Sequence, residues 1–229
     1  MKYNYLLQVG GVRYPVIDQD VRLASNACGV ASFEVEATEA LSGAVYFAFS
    51  LNGGAMHGHF FGYVERSVRA TTKSQRIFCK EASNAMEMRM PISMRHATLR
   101  DVLTKAKELS GCGFSVPSNA AYVDQPVPYF INTGNGFHML RKVAEVYGIS
   151  NYIWQQRRDG RIYVGSWGDG HWPKVPVNVP RDVIDKVQAT QSAELLAVPG
   201  LRPGYKLNGN RLYSVQMKGN KMVVSWKKP

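Results

Sequence analysis

Cysteine is scarce in this chain. The three in 229 residues, Cys28, Cys79 and Cys112, are odd in number and far apart. That excludes a disulfide framework and a CxxC-type zinc site, and reads as buried, unmodified thiols. Long apolar runs are missing too, since none approaches the roughly 18–20 residues that span a membrane. The opening stretch MKYNYLLQVGGVRYPVID does not read as a secretory leader, because its apolar part is short and Gly10, Gly11 and Arg13 interrupt it. The expected location is the cytoplasm in which the chain is made, unless it leaves as part of a larger assembly.

Catalytic signatures are equally sparse. There is no GxSxG elbow and no cysteine–histidine pairing with a positioned third group. The acids Glu34, Glu36, Asp159 and Asp169 show no spacing that pairs any two of them for acid–base work. His57 and His59 share one strand face at a spacing that can chelate a metal, but the nearest acid, Glu65, belongs to another strand phase. The NTGNG stretch, Asn132 to Gly136, precedes a helix as a phosphate loop would. It lacks the GxGxxG spacing and a P-loop lysine, so a helix-capping turn explains it better. No catalytic or metal residue is assigned, and an enzyme such as a cell-wall hydrolase is the weakest reading.

What is present describes a folded protein with a basic surface. The hydrophobic fraction is 45%, the charged fraction 20% and the net charge +11. Such a charge favours polyanions or acidic partners. However, the basic residues come in ones and twos (Arg66, Arg69, Lys73, Arg76, Lys80, then Arg157, Arg158, Arg161), several in the alternating phase of a solvated strand face. Trp154, Trp167, Trp172 and Trp226, with Tyr152 and Tyr163, fit either core and interface packing or a stacking platform for single-stranded nucleic acid. A nucleic-acid-binding β-barrel is therefore the alternative to carry forward.

The first third reads as β. A hairpin turns at Gly10-Gly11, ASFEVEAT alternates Phe33, Val35 and Ala37 against Ser32, Glu34 and Glu36, and SQRIFCKEAS closes the block. SNAMEMRMPISMRHATL reads as an irregular bridge, with Pro91 barring a continuous helix. Thr98 then caps a helix with Asp101 at the capping-box position, Gly111 stops it, and GFSVP becomes a strand. Pro126 and Pro128 keep the next stretch extended at a sheet edge, a second helix starts near Asn135 and stops at Gly148, and Asp159-Gly160 turns a hairpin. Beyond Gly168 the chain reads as Pro-rich loop with a short helix near Arg181 to Lys186, then three short strands with turns at Asn208-Gly209-Asn210 and Lys218-Gly219-Asn220.

The two helices belong to a duplicated unit. At the offset of 37 residues set by Gly111 and Gly148, Val102, Leu103, Ala106 and Leu109 fall on Met139, Leu140, Val143 and Val146. Lys105 and Glu108 fall on Lys142 and Glu145. The apolar positions have the spacing of one helix face. Each copy is helix, glycine, strand, half of a split α/β sandwich. The expected fold class is α+β, mainly β: two small β-barrel domains with an inserted duplicated helix–strand unit. The expected boundaries are residues 1–85 for the first barrel, 86–175 for the insert and 176–229 for the return to a second barrel.

The stretches FFGYVERSV, TLRDVLTKAKELSGCGFSVP and YFINTGNGFHMLRKVAEVYGISNYIWQQRRDGRIYVGSW resemble the baseplate or tail-tip hub proteins of long-tailed bacteriophages and prophages. That superfamily includes the late control D proteins and the base of type VI secretion spikes. LRPGYKLNGNRLYSV is similar to the family's final barrel. The resemblance covers most of the chain from about residue 60. It implies a virion structural protein, assembled in the host cytoplasm and forming a homotrimeric ring with two barrels per subunit. The ring would join the sixfold tail tube, or a distal tail protein, to a threefold spike or central fibre, with a tape measure protein as a further neighbour. Some tail-tip members carry an iron–sulfur cluster on clustered cysteines. The separated cysteines here do not match that pattern, and no cofactor is expected. Closing such a ring needs apolar surface, and Trp154, Trp167 and Trp172, beside the projecting hairpin, are the expected interface residues.

Overall fold

Alternation of apolar and polar residues becomes strand almost throughout the first third of the chain. The computed structural model describes residues 1–188 and 190–228. It divides into two units, one made of Met1–Glu81 and Val175–Pro229, the other of Ala82–Lys174. The class is α+β, mainly β, with 46% of residues in strands and 17% helical. Among the described residues no helix is long and apolar enough to cross a membrane.

The first segment runs β1 (Tyr3–Val9), β2 (Val12–Tyr14), β3 (Val16–Ala24), β4 (Val30–Glu36), β5 (Ala44–Leu51), β6 (His57–Arg69) and β7 (Ser74–Glu81). The Gly10-Gly11 hairpin forms as expected, pairing Val9 with Val12. In β4, Ala31, Phe33 and Val35 are buried while Ser32, Glu34 and Glu36 are not. The inward faces of these strands meet around Phe33, Phe47 and Phe60, with Phe33 and Phe47 ring centres 5.1 Å apart.

The second unit contains β8 (Ile92–Ala97), α1 (Leu99–Ser110), β9 (Phe114–Ser115), α2 (Ala121–Asp124), β10 (Val127–Asn132), α3 (Gly136–Val146), β11 (Tyr152–Gln156) and β12 (Ile162–Ser166). The duplication is real and longer than helix, glycine and strand. Thr98 caps α1 through a complete capping box with Asp101, and Asn135 caps α3 by accepting from the His138 N–H at 2.9 Å. Those caps lie at the same offset as Gly111 and Gly148, whose φ angles of 74° and 59° favour glycine. Burial follows the match. Val102, Leu103 and Ala106 are at most 4% exposed, Met139, Leu140 and Val143 are 0%, and the outer pair Leu109 and Val146 are 36% and 38%. The strands leading into the helices, β8 and β10, pair with each other, while β9 and β11 flank β12. The bridge expected to be irregular thus contains a 3-10 turn at Ala82–Glu87 and strand β8. Pairing with β10, which no local pattern announces, makes it a strand.

The chain then returns through β13 (Ile184–Gln188), β14 (Ser192–Leu196), β15 (Lys206–Leu207), β16 (Asn210–Arg211), β17 (Ser214–Lys218) and β18 (Lys221–Ser225). Only a 3-10 turn, Arg181–Val183, stands where a short helix was expected, because β13 forms immediately after it and pairs with β14. One sheet of eleven strands contains both chain segments, in the order β13-β14-β18-β17-β3-β4-β7-β6-β5-β1-β2. The joint is the antiparallel pairing of β17 with β3, from Ser214 opposite Ala24 to Lys218 opposite Asp20. The Tyr3 hydroxyl donates to the Ala197 carbonyl at 3.1 Å, and the Gln19 side chain donates to the Gly219 carbonyl at 2.9 Å. Both bonds tie the first segment to the second.

Leu103→Ala and Leu140→Ala should each destabilise the protein by roughly 2–5 kcal/mol, whereas Lys105→Ala should stay within about 0.5 kcal/mol. Denaturant melts check this, and two harmless leucine changes would contradict the packing of the repeat. A second expectation concerns acid. Hydrogen bonds from the Thr98 hydroxyl and backbone N–H hold the Asp101 carboxyl below its usual range. A lowered folded pKa gives stability that is present above the ordinary carboxylate value and lost as pH falls through the folded one. Melts of the wild type and of Asp101→Ala should therefore differ at about pH 7 and converge toward about pH 2. A gap independent of pH would count against the capping box.

Candidate functional site

The two histidines of β6 sit in different surroundings. His57 is half-buried, while His59 is fully buried with its ring edge-on to Phe49 at 5.4 Å and Phe47 at 6.5 Å. No group of three histidine, cysteine, aspartate or glutamate side chains that could hold a metal occurs among the described residues. The NTGNG loop spends its polar groups internally. Asn132 donates to the Met90 carbonyl at 2.7 Å and its amide oxygen meets His138 Nδ1 at 2.7 Å, while the Gly136 N–H donates to the Met88 carbonyl. A capping turn is what the residues build. The three cysteines are free thiols, and burial pushes Cys79 up to about 12.

Two of the three tryptophans expected at an interface are enclosed by their own unit. Trp154 is 2% exposed, 5.5 Å from the Phe137 ring, and Trp172 is 3% exposed, edge-on to Tyr163 at 4.9 Å. Trp167 is half-buried. Rings so enclosed cannot stack on bases, so Trp154 and Trp172 drop out of a single-stranded nucleic-acid platform, while Trp167 and Trp226 are half-buried.

A feature that motif searching misses is a buried ion pair. Glu81, the last residue of β7, is 2% exposed, and Arg202, from the loop between β14 and β15, is 4% exposed. The guanidinium donates to Glu81 Oε1 at 2.9 Å and to the His59 carbonyl. The other carboxylate oxygen accepts from the Gly29 N–H at 2.9 Å. A Cβ at position 29 would lie 2.7 Å from that oxygen, so only glycine lets the backbone approach so closely. Burial pushes the Glu81 carboxyl up, and the Arg202 charge and the Gly29 N–H oppose that push. Glu81 was findable, because it lies in the same alternating phase as the buried Ile77 and Cys79. Arg202, between Leu201 and Pro203 in a loop, carries no periodic signal.

Chemically the trio is a clip. It joins the β6 and β7 strands, the turn before β4 and the returning segment, with both Glu81 carboxylate oxygens and two Arg202 nitrogens hydrogen-bonded.

Two further surfaces face outward. A groove of about 360 Å³ crosses β3, β4, β7 and β6, with Val30 and Phe78 between the ion pairs Arg22–Asp20 at 2.8 Å and Lys80–Glu65 at 2.6 Å. On the β8–β10 ribbon, Tyr129 is 59% and Ile131 51% exposed, with the Arg95 guanidinium 5.5 Å from the Tyr129 ring centre.

No family model matches the chain. An uncharacterized 58.7 kDa protein of Haemophilus phage HP1 is 31% identical over 169 residues, which is 72% of this chain and 31% of that protein. The chain thus spans about a third of the length of the curated relative it matches. The fold extends further than the sequence likeness. A 43 kDa tail protein of prophage MuSo2 from Shewanella oneidensis superposes with a TM-score of 0.72 at 10% identity, covering 98% of this chain and 97% of the other. A tail protein from Neisseria meningitidis gives 0.69 at 9% identity, with 98% and 96% covered. A component of the E. coli type VI secretion system gives 0.61 at 10% identity, with 95% and 75% covered. At such identities the likeness is one of fold, and that fold is shared by phage tail proteins and a type VI secretion component.

Breaking the clip from one side should be costly. Glu81→Gln or Arg202→Met is expected to destabilise by roughly 3–5 kcal/mol, and the double change by clearly less than the two together. Additive single effects in denaturant melts would show that the two side chains do not act as a pair.

Proposed function

We propose that the chain is a structural hub protein of a bacteriophage tail tip or baseplate. In this reading it forms a trimeric ring that joins the sixfold tail tube, or a distal tail protein, to a threefold spike or central fibre. The observation that carries it is the likeness along nearly the whole chain to a prophage tail protein, supported by the relative from a phage. The chain is then a virion component, assembled in the host cytoplasm, with a tape measure protein as a further neighbour and no reaction of its own. Residues 1–85 and 176–229 supply the two barrels of each subunit, and 86–175 the insert between them.

A ring subunit must present different surfaces to its two neighbours, through a heterologous contact that closes after three copies. The exposed Tyr129 and Ile131 and the half-buried Trp167 fit that need better than Trp154 and Trp172, which their own unit already covers. Obligate contacts of this kind bury upwards of roughly 2,000 Å².

Light scattering of the purified protein at high concentration tests the reading. The expected mass is three times the 25.5 kDa chain. A strict monomer, or a twofold dimer, would reject the ring.

A further inference from the structure

Charge is segregated along this chain. Between Arg22 and Arg66 there is no lysine or arginine, while Glu34, Glu36, Glu39 and Glu65 all fall in that interval. Glu34 is taken by Arg76 at 2.5 Å and Glu65 by Lys80 at 2.6 Å. Glu36 and Glu39 are exposed at the end of β4 and in the loop that follows, and among the described residues no ion pair includes either. The loop presents two carboxylates outside these ion pairs, next to Lys73, whose carbonyl accepts from the Ala37 N–H at 3.1 Å.

The opposite charge gathers at one hairpin tip. Arg157, Arg158 and Arg161 lie at the β11–β12 turn, and all three are exposed. The nearby acids are engaged locally. Asp159 accepts from the Arg161 N–H at 3.1 Å and Asp169 from the Tyr122 hydroxyl at 2.8 Å. The loop carrying His171 and Lys174 packs against the same hairpin through Trp172 on Tyr163. The His171 ring is held below its usual range, first by burial and then by the charges of Arg157 and Arg158, so both guanidiniums are felt at this loop.

We propose that the arginine-tipped hairpin of one copy docks on the Glu36–Glu39 loop of the next copy. The inference rests on the ring reading and names the charged part of its interface. A positive patch meeting a different, negative patch is the heterologous geometry that closes rings. Arginine suits the role, because its planar fork pairs bidentately with carboxylates. The tip is short, and Trp154 and Trp172 near it are buried and cannot receive bases, which favours carboxylates over a nucleic-acid strand.

Charge reversal tests the contact. The variants are Arg157→Glu with Arg158→Glu, Glu36→Arg with Glu39→Arg, and all four together, compared by sedimentation mass across concentration and by melting temperature. Each double variant should self-associate roughly tenfold or more weakly than the wild type, and the fourfold variant should recover the trimer. Melting temperatures at low concentration should not move. A trimer indifferent to every reversal overturns this contact and leaves the ring standing. A wild type that never associates overturns both. A fall in monomer melting temperature would mean that the patches pair within one chain. Loss of oligonucleotide binding in the arginine variant, with its mass unchanged, would assign the tip to nucleic acid. Either of the last two results also overturns the proposal.

Discussion

The pairing of β17 with β3 is the joint on which the first unit depends. The chain leaves that unit at Glu81 and returns only after the whole of Ala82–Lys174. Bringing the ends of so long an excursion together costs closure entropy that grows slowly with length. The joint meets that cost with a full antiparallel register and with side-chain ties from Tyr3 and Gln19. The Glu81–Arg202 clip fixes the departure point itself, since its acid is the last residue before the excursion and its base arrives with the returning segment. Removing either partner leaves a buried charge stranded, so breaking the pair costs more than forming it gains.

The second unit is built on another rule. Its two copies are each strand, cap, helix, glycine and strand, and each buries three apolar side chains at matched positions. The caps and glycines fix where each helix starts and stops, so the copies stay in register even though their sequences share few identities. Thr98, Asp101, Asn132 and Asn135 spend their polar groups on caps and on the staple of the NTGNG loop.

These devices were legible to different degrees. Helix α1 could be read to its ends, because capping box, apolar spacing and glycine stop agree with one another. The β11–β12 hairpin was equally plain from Asp159-Gly160. Strand β8 was hidden because its partner β10 is distant in sequence, and β13, although it pairs with the next strand β14, does not alternate cleanly. The tryptophans were harder still: composition marks them as packing residues, but only the loop from Ser166 to Lys174 shows that Trp172 packs inward against Tyr163. Arg202 was invisible, as a loop arginine is ordinarily solvated.

The sheet held by a buried clip and the duplicated packing unit are compatible with the ring subunit proposed above. Electron-microscopic reconstruction of the tail tip in the assembled particle tests that claim most directly. The account predicts three copies of the chain around the tail axis, between tube and spike. Finding the chain absent from the tail, or present in one or six copies, would contradict it.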